Sequence, residues 1–128
     1  MRKNKRLEKA GITADRHMEL RYFCKQYPHK KEKIKELTYL SGVRYSDMPK
    51  GTDNGNPTEE RAMRLISLKN DIEIIEQSAI KASGDLYRFV LKYVTKGIEY
   101  AYLDAPCGRN YFYRLVENFY IVLDKKKI

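Results

Sequence analysis

The stretch "DAPCGRNYFYRL", residues 104–115, crowds a proline, a cysteine, a glycine, two arginines and three aromatics into a few positions near the C-terminus. Pro106 cannot continue a helix and Gly108 can take a left-handed conformation, so the chain is expected to turn here. Beyond the turn, Phe112, Leu115, Val116, Phe119 and Leu123 recur at steps of three and four, the apolar stripe of a last helix ending in "DKKK", residues 124–127. Phe112, Leu115 and Phe119 are expected to face inward. Arg109, Asn110, Tyr113 and Arg114 fall off that stripe at the helix start and are expected to face a partner; Tyr111 joins them or packs inward.

Before the turn, "LYRFVLKYVTKG", residues 86–97, sets Leu86, Phe89, Val90 and Val94 on one face, with Gly97 as its natural stop. A short second pattern, "IEYAYL", residues 98–103, follows. Helix, short helix, turn and helix is the layout of a helix-turn-helix, whose last helix lies in the major groove of duplex DNA. In such a helix Arg pairs with guanine and Asn with adenine, and both also suit phosphates. Lys125, Lys126 and Lys127 read either as phosphate contacts or as a solvated helix end that opposes the macrodipole.

The residues before this unit read as a helical hairpin over 13–83. Thr13 can cap a helix, Asp15 suits its first turn, and Leu20, Phe23, Tyr27, Ile34 and Leu37 recur at helical steps. Pro28 should kink or break that run, and Gly42 should stop it. Residues 42–56 then read as a long mobile loop rich in breakers. In "NPTE", residues 56–59, Asn56 can cap, Pro57 fits the first helical position and Glu59 can reach back to the cap. Leu65, Leu68, Ile72, Ile75 and Ala79 form a packing or dimer seam at alternating steps of three and four. The seam's partner, a helix of this chain or a second copy, is left open. "ASGD", residues 82–85, ends the helix.

The chain has 128 residues, about one domain by the usual length prior, with 42% hydrophobic and 34% charged residues. Its formal charge of +9 favours a polyanionic partner. The first 31 residues hold ten Lys or Arg against three acids, the neutral middle eight against nine, and residues 84–128 eight against five. Residues 1–12 are therefore expected to form a basic, disordered arm, either binding or merely solvated. No run is long and apolar enough to span a bilayer, and the N-terminal segment lacks a signal-peptide core, so a cytoplasmic, non-membrane chain is expected.

An enzyme is not expected. No Walker-type glycine loop or HExxH motif occurs, and "GTDNGN", residues 51–56, reads as a flexible loop. Asp71, Glu73 and Glu76 read as solvated rather than metal-binding, and His17 and His29 as surface residues. Neither a metal nor another cofactor is expected, and no small-molecule substrate. Cys24 and Cys107 read as unpaired in a reducing compartment, Cys107 either packed in the turn or as a thiol whose pKa a helix start lowers.

Several stretches carry a resemblance: "RYFCKQYPHKKEKIKELTYL" at 21–40, "MPKGT" at 48–52, "IEQSAI" at 75–80, "LKYVTKGIEYAYL" at 91–103, "PCGRNYFYRL" at 106–115 and "FYIVLDKKK" at 119–127. Together they resemble the phage-encoded transcriptional regulators of the RinA and ArpU type, found in phages and prophages of Gram-positive bacteria. The resemblance implies an all-α protein, a helical hairpin or coiled coil followed by a sigma-factor-like, helix-turn-helix-like three-helix unit over 84–128. It implies transcription regulation of phage genes, often late ones, inside the bacterial host cell, with no enzyme activity and no cofactor. The expected partner is double-stranded DNA, with RNA polymerase or a second copy at the hairpin. Two alternatives stand beside it: a protein-binding adaptor or inhibitor, and a small DNA-packaging component. Glu117 and Asn118 stand where relatives look arginine-rich, and a carboxylate repels phosphates.

Overall fold

The computed structural model describes the backbone of residues 5–47 and 56–127, and the side chains of 5–39 and 59–127. The chain is all-α. Its helices are α1 (Lys5–Lys9), α2 (Ala14–Lys25), α3 (Tyr27–Asp47), α4 (Asn56–Ser83), α5 (Tyr87–Lys96) and α6 (Arg109–Lys126), with 3₁₀ turns at Gly84–Leu86 and Tyr100–Tyr102. Among the described residues there is no strand, and no helix is long and apolar enough to cross a membrane.

The central element is α4, which packs against α3, α5 and, most extensively, α6. Three of its five seam residues, Ile72, Ile75 and Ala79, are buried in this chain's own core, while Leu65 and Leu68 are half-exposed. α3 and α4 form the expected hairpin, antiparallel because Tyr27 reaches Glu76 while Lys30 reaches Asp71, the latter at 2.7 Å. Asp71 and Glu76 are thus hairpin ties, not the solvated carboxylates that their spacing implied. Of that trio Glu73 alone is exposed.

Pro28 does break the first run: α2 ends at Lys25 and α3 starts at Tyr27, so the proline sits where its missing N–H has no helical partner to lose. Gly42 does not stop α3, which continues to Asp47. One glycine inside a helix costs only about 1 kcal/mol, too little to end a helix by itself. The expected mobile loop 42–56 is therefore shortened at its start, and residues 48–55 lie outside the described residues, as do the side chains of Asn56, Pro57 and Thr58 in the "NPTE" cap.

The N-terminal segment departs most from expectation. From residue 5 the expected arm is helix and turn: Ile12 N donates to Leu7 O at 2.9 Å and Gly11 N to Glu8 O at 3.0 Å, with Gly11 at φ +86°. This pair of bonds is the Schellman arrangement, and the hydrophobic contact that accompanies it falls on Leu7 and Ile12, each 2% exposed. Two buried aliphatic residues fix a segment that charge density alone suggested was solvated. Thr13 then caps α2, its hydroxyl accepting from Arg16 N at 3.1 Å.

The C-terminal unit keeps its outer helices and loses its middle one. α5 ends at Gly97, left-handed at φ 71° as expected, but "IEYAYL" contributes only the 3₁₀ turn. Asp104, not Gly108, takes the left-handed conformation after it, at φ 56°, while Gly108 is extended and serves as the N-cap of α6. Tyr100 pins this connection, its hydroxyl donating to Cys107 O. Phe112, Leu115, Val116, Phe119 and Leu123 are all buried, joined by Tyr120.

Candidate nucleic-acid interface

Burial of the apolar stripe fixes the rotation of α6, and the rotation leaves Arg109, Asn110, Tyr111, Tyr113 and Arg114 exposed at its first turns. The Arg109 guanidinium stands 5.4 Å above the Tyr100 ring, so the pinned turn also steadies the first cation of the helix. Tyr113 is set by ring contacts with Tyr93 at 5.9 Å and Tyr100 at 6.4 Å. The four predicted contact residues are therefore brought together on one end of one helix.

Farther along, α1 covers the outer side of α6. Arg6 Nη1 meets Glu117 Oε1 at 3.0 Å and Arg6 Nη2 donates to Asn118 Oδ1 at 3.0 Å. Glu117, which would have repelled phosphates, is engaged by an arginine from the segment expected to be an arm. Arg114 lies one helical turn before Asn118, on the same side. The exposed Lys5 and Lys9 of α1 thus add cations along α6 beyond Arg109 and Arg114, where Arg6 is paired with Glu117. Reading the residues as a sequence missed this addition; the signal was the Leu7, Gly11, Ile12 spacing.

The lysine run lies at the other end of α6. Sixteen residues separate Arg109 from Lys125, about 24 Å at 1.5 Å per residue. Lys125 and Lys126 are exposed, but the Lys127 ammonium sits 4.1 Å from the Phe23 ring centre and packs on α2. Arg16 reinforces this end: its Nε is 2.7 Å from Asp124 Oδ1, and Nη2 donates to Asp124 O at 3.4 Å and Lys127 O at 3.0 Å. These bonds, with a second carboxylate at Glu19, raise the Arg16 pKa and satisfy carbonyls at the helix end.

Both cysteines are free. Cys24 is fully buried, and burial pushes its thiol up to about 12, far from a reactive thiolate. Cys107 is half-buried beside the N-cap of α6. His29 is exposed as expected, whereas His17 is half-buried, edge-on to Tyr120 at 4.7 Å. Among the described residues, no group of three or more His, Cys, Asp or Glu could hold a metal ion.

These features define an all-α protein that presents a cationic, aromatic helix start beside a docked basic helix. Compared with family models, curated proteins and solved structures, the chain matches none.

Proposed function

We propose that this protein binds duplex DNA through the first turns of α6 and acts as a transcriptional regulator of the phage RinA and ArpU type, working in the cytoplasm of the host cell. The observation that carries the reading is the common exposure of Arg109, Asn110, Tyr113 and Arg114 at the start of a helix whose opposite stripe is buried. A groove-reading helix makes its base contacts with such N-terminal residues. Arg109 and Asn110 are the base-reading candidates, with Tyr113 and Arg114 beside them. Lys5 and Lys9 of α1, together with Lys125 and Lys126, supply phosphate contacts.

The short 3₁₀ turn replaces the middle helix of a helix-turn-helix, so α4, with α5 and the pinned Tyr100 turn, holds α6 in place of a full supporting helix. Fluorescence anisotropy with labelled duplex tests the proposal: affinity should fall steeply with salt and be lost in Arg109→Ala plus Arg114→Ala while helicity stays. Binding that is insensitive to both would remove the reading.

A second reading, a protein-binding adaptor, draws on a different surface. Met63 and Ile66 on α4 are 71% and 60% exposed, beyond the part of the seam that the core covers. RNA polymerase or a second copy is the proposed occupant of that hairpin. Salt-insensitive binding to a protein, with none to DNA, favours the adaptor.

A further inference from the structure

A cleft of about 680 Å³ opens between α2, α5 and α6, closed at one side by Leu7 of α1. Its lining divides by chemistry. His17, Arg21 and Lys25 stand at four-residue steps on α2 and form one wall; Tyr93 of α5 and Tyr113 and Tyr120 of α6 form the others.

Among the described residues, His17, Tyr93 and Tyr120 make no side-chain hydrogen bond, and Arg21 and Lys25 make no ion pair. Arg21 Nη1 donates only to the Met18 sulfur, at 3.7 Å, and among the described residues no carboxylate lies within ion-pair distance of Arg21 or Lys25. Tyr120 is 6% exposed, yet its hydroxyl has no hydrogen bond among the described residues, and the same holds for the side chains of His17 and Tyr93. A buried hydroxyl left without an acceptor is costly, and the Tyr120 hydroxyl shares its cleft with the half-buried His17, Arg21 and Tyr93 and the exposed Lys25, which is the arrangement of a ligand site. Two carboxylates also line the cleft: Glu117 is held by Arg6, and Glu99 stands exposed.

The donors call for an anion rich in acceptor oxygens, and the tyrosine rings call for a flat aromatic group. We infer that the cleft is a nucleotide-binding site, with phosphate on Arg21 and Lys25, the base against Tyr93 and Tyr113, and the Tyr120 hydroxyl donating to the bound molecule. The volume falls in the range of small-ligand pockets. A nucleotide reaches this cleft either free in solution or as one unit of a single strand, and the inference does not rest on duplex binding.

Calorimetric titration with AMP, ATP, adenosine, pyrophosphate and a short oligothymidylate tests it. AMP or ATP binding with one site per chain identifies a free nucleotide; binding of the oligothymidylate alone identifies a strand; either result upholds the site. Arg21→Ala plus Lys25→Ala should then weaken binding about tenfold or more. Tyr120→Phe, which keeps the ring and removes only the hydroxyl, should weaken binding several-fold while the melting temperature does not fall. Arg109→Ala plus Arg114→Ala should leave it unchanged, which separates this site from the duplex surface. Absence of nucleotide and oligonucleotide binding at about 1 mM overturns the inference. So does pyrophosphate bound as tightly as ATP, or affinity unchanged in the Arg21 and Lys25 double variant.

Discussion

At the scale of single residues, Leu7 and Gly11 decide whether the N-terminal segment is part of the molecule. Leu7 is 2% exposed, and Leu7→Ala should cost about 2–4 kcal/mol of unfolding free energy in urea titrations. Gly11 at φ +86° admits a side chain only with strain, so Gly11→Ala should cost about 1–2 kcal/mol. The basic residues around Leu7, Gly11 and Ile12 argued for a solvated arm, and no sum of charges reveals which aliphatic residues a fold will bury. His17 gives a pH signature. Its pKa lies below the ordinary 6.5 because burial disfavours the imidazolium and Arg21 repels it. The unfolded chain therefore takes up the proton more readily, and this residue's share of stability is present above about pH 6.5 and is lost as pH falls from there through the lower folded-state pKa. Melting temperatures followed downward from neutral pH should decline less in His17→Gln than in the parent chain.

At the scale of elements, regular apolar spacing carried most of the fold. The stripe of α6 and the Gly97 stop of α5 could be read directly because each rests on local physics that the tertiary structure does not oppose. The helix expected over 98–103 fails for an equally local reason. Gly97 reverses the chain before it and Asp104 and Pro106 bend the chain after it, leaving space for one 3₁₀ turn. Which carboxylates of α4 are tied down depended on the rotation of α4 against α3, which one helix cannot specify. Lys30 and Asp71 form such a tie at 2.7 Å, with side-chain exposures of 14% and 30%. Asp71→Asn should cost about 1–2 kcal/mol, and a double-mutant cycle with Lys30→Met should recover part of it. Deleting residues 1–12 removes α1 and its packing on α6; the truncated chain should melt at a lower temperature and bind duplex DNA with a shallower salt dependence.

For the whole molecule, the net charge of +9 is distributed in a way that composition alone did not specify. α1, expected apart from the body, is docked over the middle of α6 at Glu117 and Asn118, while Lys125 and Lys126 occupy the far end of the same helix and Lys127 is turned inward onto Phe23. Lys125→Ala plus Lys126→Ala should therefore weaken DNA binding by a similar factor for every sequence, whereas Asn110→Ala should change which sequence is preferred. The exposed rotation of the α6 start follows from its apolar stripe and was readable in advance; the cover that α1 provides over Glu117 was not, because it joins residues more than a hundred positions apart. The most direct test is duplex-DNA affinity measured across a salt series for the parent chain and for Arg109→Ala plus Arg114→Ala. A linear fall of log affinity with log salt is predicted for the parent chain, with affinity in the double variant far lower at every salt concentration. Equal slopes and equal affinities for the two proteins would contradict the assignment of the α6 start as the surface that meets DNA.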